Sequence, residues 1–209
     1  MISAGKALQR LKQGNLRFRS HDHADVDSIS RGQLVRAQSP FAIILGCSDS
    51  RVPAELVFGQ GLGDLFVIRV AGNIVAPSQI GSIEFAAEKF GTHLVVVLGH
   101  SMCGAVEATL EQLQQDMGNR SPNLHAIVDR IRPAVESLVE FHNELDSEDN
   151  TGGIAPELLN QAVRCNIKAS VNNLQQGSEI LEALIKHDKL LIVGAEYFLE
   201  TGEVEFFDR

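Results

Sequence analysis

The sequence predicts an α/β fold with a mostly parallel central sheet flanked by helices. About four parallel strands are expected, plus an antiparallel C-terminal edge strand. Three observations lead there. Four short, continuously apolar runs, at 41–46, 65–70, 94–98 and 190–194, have strand length and no polar alternation. Such runs suit strands covered on both faces. Stretches with apolar residues at helical spacing separate them, the order of βαβ units. Finally, Glu200-Thr-Gly202 before Glu203–Phe207 reads as the turn of a hairpin at a sheet edge.

The elements follow in order. Leu8, Leu11, Asn15 and Phe18 recur at helical spacing, so residues 4–18 are an amphipathic helix. His21 to Ser39 is a polar connection with a short helix. After the strands at 41–46 and 65–70, Ser78 to Phe90 is a helix with Ile80, Ile83, Phe85, Ala87 and Phe90 on its apolar face. Gly91 is its C-cap. The 94–98 strand precedes a helix from Gly104 to Gln115. Asn123 to Glu144 is helical, interrupted or begun afresh at Pro133. Pro156 to Gln175 and Ser178 to His187 are two more helices, the first with Pro near N1. Asp146–Gly153 reads as an exposed loop within one domain spanning 1–209, with residues 1–39 as a helical arm and 40–209 as the core.

Composition narrows the function. The 209 residues carry a formal net charge of −9, and aromatics are 5%. A nucleic-acid surface needs clustered Lys and Arg, so none is expected. No apolar run nears the roughly 20 residues of a membrane span. The opening MISAGKALQRLKQGNLRF interleaves charges with apolar positions, so no signal-peptide core is expected. Three cysteines, Cys47, Cys103 and Cys165, are too few and too odd for a disulfide framework. They predict a reducing, cytoplasmic setting in which thiols are inert, catalytic or metal-bound.

Two segments carry chemistry. Gly46-Cys-Ser-Asp-Ser-Arg-Val-Pro53 directly follows the first strand, and Gly99-His-Ser-Met-Cys-Gly104 follows the third. Ligands bind beyond the carboxyl ends of parallel strands, so Cys47 and His100 share an edge. Cys103 falls in the first turn of the next helix, where the dipole favours thiolate. Two thiolates and an imidazole suit zinc. With three protein ligands, the fourth position takes water, as in a catalytic site, or Asp49. Arg51 can hold Asp49 in a carboxylate–guanidinium pair. From spacing alone, a catalytic zinc, a structural zinc and a metal-free buried set all stay open.

Other residues receive plainer readings. Cys165 is a buried, inert thiol, and His93 a surface or turn residue. Arg69 pairs with an internal carboxylate. Ser48, Ser50 and Ser101 are loop or cap donors. Gly61 and Gly63 lack the Gly-Lys-Ser/Thr of a phosphate loop.

Cys47-Ser-Asp-Ser-Arg51, Gly61-Leu-Gly-Asp-Leu-Phe-Val-Ile-Arg69, Ala71-Gly-Asn73 and Gly99-His-Ser-Met-Cys-Gly104 together resemble the β-class carbonic anhydrases. The resemblance runs from about Leu8 to the final strand. It implies one Zn²⁺ per subunit on Cys47, His100 and Cys103, with an Asp49/Arg51 dyad. It implies a substrate pocket at Gln38, Phe66 and Phe85, the last standing where plant-like members have Tyr. Gly59 replaces the Asp of a common Phe-Asp-Gln, and Ile44 stands where some bacterial members carry a regulatory Trp. It also implies a homodimer or dimer-built tetramer, with the N-terminal helix reaching over a partner subunit.

The reaction so implied is reversible hydration of CO₂ to bicarbonate, by attack of zinc-bound hydroxide oriented by Asp49. In carbonic anhydrases with a three-histidine zinc, bound water has a pKa of about 7. Two thiolates donate more charge, so a somewhat higher working pH is expected. His21, His23 and His125 are proton-acceptor candidates by residue type alone. The alternatives are a zinc hydrolase of COS or CS₂ on the same fold, and a non-catalytic zinc or redox-sensing protein.

Overall fold

Along β1 (Ala42–Gly46) every residue is buried, because successive side chains enter two different cores. Ile43 and Leu45 pack on one face of the sheet, Ala42 and Ile44 on the other. The computed structural model describes residues 2–20, 35, 37–114, 121–145 and 154–207. The expected connection helix within 21–39 and the 146–153 loop lie essentially outside these.

The remaining strands are β2 (Leu65–Arg69), β3 (Leu94–His100), β4 (Leu191–Tyr197) and β5 (Val204–Phe206). Their order is β2-β1-β3-β4-β5. The first four are parallel, and β5 runs antiparallel to β4. This is the sheet expected from the sequence. Two strands run further than expected. His100 pairs with Tyr197, so β3 extends into its Gly-His pair and β4 grows to match.

Helices cover both faces. On one lie α1 (Ala4–Arg19) and the short α2 (Ala54–Val57), which was not expected. On the other lie α3 (Pro77–Phe90), α4 (Gly104–Gln114), α5 (Pro122–Leu145), α6 (Pro156–Gln176) and α7 (Glu179–Lys186). A 3₁₀ turn at Ala71–Asn73 follows β2. α5 corrects the expected break, since it is one helix with Pro133 inside. Buried Val128, Ile131, Val135 and Val139 keep one apolar stripe in phase through the proline, which is exposed. Burial of that stripe offsets the lost hydrogen bond.

α1 docks through Gly14 and Asn15. A Cβ at Gly14 would lie 1.7 Å from the Phe58 carbonyl oxygen, so only glycine permits this approach. Asn15 sits at an apolar helical position, yet is buried for its hydrogen bonds. Its Nδ2 donates to the Val57 and Gly202 carbonyls at 3.1 and 2.8 Å, and its Oδ1 accepts from Val204 N at 2.9 Å. One side chain thus ties α1 to α2 and to the β4–β5 hairpin.

β1 is central to the site. Its neighbours are β2 on one side and β3 on the other, so the chain reverses direction across the sheet there. Such a switch point opens a crevice at the strands' carboxyl ends.

Candidate metal centre

Cys47 leaves the end of β1, and His100 ends β3 beside it. Cys103 stands just ahead of α4. Its carbonyl accepts from Val106 N and Glu107 N, both at 3.0 Å, so it occupies the N-cap position and not the first turn. Ligand atoms of Cys47, His100 and Cys103 all lie within 4.8 Å of one another, and all three residues are buried. The sulfurs are 4.0 Å apart. Two thiolates on one tetrahedral zinc would be separated by about 3.8 Å.

His100 has a defined orientation. Its Nδ1 is 2.8 Å from the Ser101 carbonyl, which only accepts, so Nδ1 carries the hydrogen. The Nε2 lone pair is then free. That atom is fully buried with no hydrogen-bond partner in the structure. A buried acceptor without a donor is costly unless something electron-poor meets it. The donor set therefore fits a metal ion.

The sulfurs divide their charge unequally. The Cys103 thiol hydrogen bond pulls Cys47 well below the ordinary thiol range, against burial. His100 and the backbone N–H groups of Asp49 and Gly72 help. Gly72 reaches this position at φ 68°, a left-handed conformation that suits glycine. Cys103 itself is pushed up, first by its hydrogen bond to Cys47 and then by burial. The N–H groups of Ala105 and Val106 lower it, but they lose. For His100, burial opposes the charged ring, but Cys47, the Ser101 carbonyl and Asp49 together raise its pKa.

Asp49 and Arg51 form the expected pair. Arg51 Nε donates to Asp49 Oδ1 at 2.9 Å and Nη2 donates to Oδ2 at 2.7 Å. The Arg51 backbone N–H also donates to Oδ1, at 2.9 Å. This fork holds Asp49 well below the usual carboxylate range. Asp49 Oδ2 is 3.8 Å from His100 Nε2, so the carboxylate faces the orphaned nitrogen.

Comparison with known proteins gives the family. The family model described as carbonic anhydrase matches residues 42–204. A carbonic anhydrase of Mycolicibacterium smegmatis is 38% identical over 207 residues, covering 98% of this chain and 92% of that one. The solved β-carbonic anhydrase CcaA superposes with a TM-score of 0.68 at 29% identity, over 96% of this chain and 95% of that one.

The chain belongs to the β-carbonic anhydrase family.

It is a lyase of the group that hydrates CO₂. Carbonic anhydrase 2 of Mycobacterium tuberculosis is 35% identical over 212 residues, 100% of this chain and 93% of that one. A tetrameric β-carbonic anhydrase of Sordaria macrospora shares the fold, with a TM-score of 0.73 at 22% identity and 98% coverage of both chains.

The other residues expected to serve a β-carbonic anhydrase are less concentrated. Phe66 and Phe85 meet with ring centroids 6.3 Å apart, and Phe90 packs on both. Phe85 is 52% exposed. Gln38 is exposed on the segment before β1. His125 lies 3.4 Å from Gln112 Nε2, at the α4–α5 contact. His21 and His23 lie outside the described residues. Ser101 is a loop donor as expected: its hydroxyl donates to Glu200 at 3.1 Å and accepts from Leu199 N at 3.0 Å.

Arg69 departs from its expected pairing. It donates to two backbone carbonyls, Cys47 at 3.0 Å and Asp49 at 2.5 Å, and to no carboxylate among the described residues. The available signal was a cation closing an apolar strand at the ligand-binding edge. Spacing does not show that the loop carbonyls turn toward it.

Proposed function

We propose that this chain hydrates CO₂ reversibly to bicarbonate and a proton, with one Zn²⁺ per subunit held by Cys47, His100 and Cys103. The observation that carries the proposal is the buried, unpartnered His100 Nε2, set beside two sulfurs and facing the Asp49 carboxylate. When bound there, zinc acts as a Lewis acid that lowers the pKa of its water and so supplies a nucleophile near neutral pH.

The chain's own groups do the rest. Asp49 Oδ2 accepts a hydrogen bond from the attacking oxygen and so aims its lone pair at carbon. Arg51 keeps that carboxylate ionised and in place through its fork. The Ser101 carbonyl keeps the His100 proton on Nδ1, leaving Nε2 as the donor atom. Phe66 and Phe85 offer an apolar seat for a neutral gas, and Gln38 donates to a substrate oxygen.

In this proposal residues 1–209 form one domain in the cytoplasm, with residues 1–39 as an arm over a core of 40–209. The subunits form a homodimer or a dimer-built tetramer. Leu16, Leu56, Leu62 and Phe85 are more than half exposed, apolar side chains for a second copy to cover. The outer side of α1 then reaches over the partner, while Ala7, Leu11, Gly14 and Asn15 stay docked on their own subunit. Light scattering gives the oligomeric state.

The functional test is metal content together with stopped-flow CO₂ hydration across pH. Saturable hydration tracking zinc content is expected. A zinc-replete protein inactive up to about pH 9 overturns the proposal.

A further inference from the structure

We propose that Arg69 is a positioning residue for the Asp49 carboxylate. This rests on the functional reading above. Arg69 ends β2 and pairs in register with Gly46, the last residue of β1. Val70 N also donates to the Gly46 carbonyl, at 3.1 Å. The strand ends are therefore locked side by side, and the Arg69 side chain reaches over the loop that leaves β1. Nε holds the Cys47 carbonyl at 3.0 Å and Nη2 holds the Asp49 carbonyl at 2.5 Å. Those carbonyls stand on either side of Ser48, so one planar guanidinium fixes the backbone of a metal ligand and of the dyad carboxylate together.

The grip has a consequence for Asp49. Its carbonyl takes a second hydrogen bond, from Val52 N at 3.0 Å, and its side chain is forked by Arg51. With the backbone pinned, side-chain rotation is the movement left to the carboxylate, whose Oδ2 is 3.8 Å from His100 Nε2. Without Arg69 the 47–49 backbone gains freedom, and the carboxylate no longer holds one distance from the metal ligands. A misplacement of about 1 Å costs on the order of 10²-fold in rate. Lysine cannot replace the grip, because its ammonium is a point donor and lacks the planar fork. Arg69 is exposed and takes no part in either hydrophobic core, so its loss should spare the fold.

The test compares Arg69→Lys and Arg69→Ala with the parent protein, each loaded with zinc and, separately, with Co²⁺. For both variants kcat is expected to fall about 10- to 100-fold with KM within about 3-fold, the pattern of a contact needed in the transition state. Zinc content should be unchanged, and Tm lowered by less than about 3 °C. Methylguanidinium should restore much of the Arg69→Ala rate. The visible bands of the Co²⁺ protein should change in both variants, because the carboxylate beside the metal has moved. A parental kcat and Co²⁺ spectrum in Arg69→Lys overturns the proposal. So does a rate loss that follows lost zinc or lost fold and that methylguanidinium does not rescue. If the zinc-loaded parent itself fails to hydrate CO₂, the functional reading falls, and the Co²⁺ spectra alone decide whether Arg69 sets the carboxylate.

Discussion

Asn15→Ala should loosen the N-terminal helix without touching the metal centre. The side chain is 4% exposed and makes three hydrogen bonds of 2.8–3.1 Å to backbone groups of α2 and the hairpin. Alanine leaves the Val57 carbonyl and the Val204 N–H buried without these bonds. Gly202, in a partly buried contact, can turn to water. Each buried backbone group left unpaired costs about 1–3 kcal/mol, so the loss of two should be about 2–6 kcal/mol. In a chain of this size each kcal/mol shifts Tm by about 2–4 °C, giving a drop near 10 °C. Thermal unfolding by circular dichroism, with zinc measured alongside, is the assay. Asn15→Asp should be at least as damaging, since a carboxylate keeps the acceptor for Val204 but loses both donors. A Tm shift under about 2 °C in the alanine variant refutes the reasoning, as does parental stability in the aspartate variant.

Three more outcomes are expected. Cys47→Ser should lose zinc, because a hydroxyl replaces one of the two sulfurs gathered with His100; full metal content in the purified variant contradicts the ligand assignment. Asp49→Ala should keep zinc yet lower kcat about 10²-fold, the scale of a misoriented nucleophile; a kcat within about 3-fold of the parent removes Asp49 from the mechanism. Glu196→Gln should become relatively more favourable as pH rises. Burial raises the Glu196 pKa despite its 2.8 Å hydrogen bond from Arg164, so its protonated form favours the fold. That stabilisation is complete below the unfolded glutamate pKa, about 4.3, and is lost as pH climbs through the raised folded value. The Tm difference, variant minus parent, should therefore grow as pH rises above about 4; a flat or falling difference rejects it.

Much of the molecule was legible in the order of its residues. Apolar runs of strand length, separated by helical periodicity, determined a parallel sheet with an antiparallel edge, because only two-sided burial makes such runs stable. Cys47 and His100, each at the end of an apolar run, had to share an edge, and Asp49 and Arg51 lie close enough in the chain to pair. Other features depend on contacts between residues distant in sequence. Pro133 signals a helix break locally, yet the buried stripe from Val128 to Val139 carries α5 through it. Cys47 and Cys103 come from separate segments, and only packing brings their sulfurs to 4.0 Å. Arg69 looks like a partner for a carboxylate, but its guanidinium meets the carbonyls of a loop that follows the neighbouring strand. Sequence alone determined which groups reach the edge, since periodicity and strand direction are local properties. Tertiary structure decided how closely the two sulfurs stand and which backbone is gripped, because those depend on distances that packing sets.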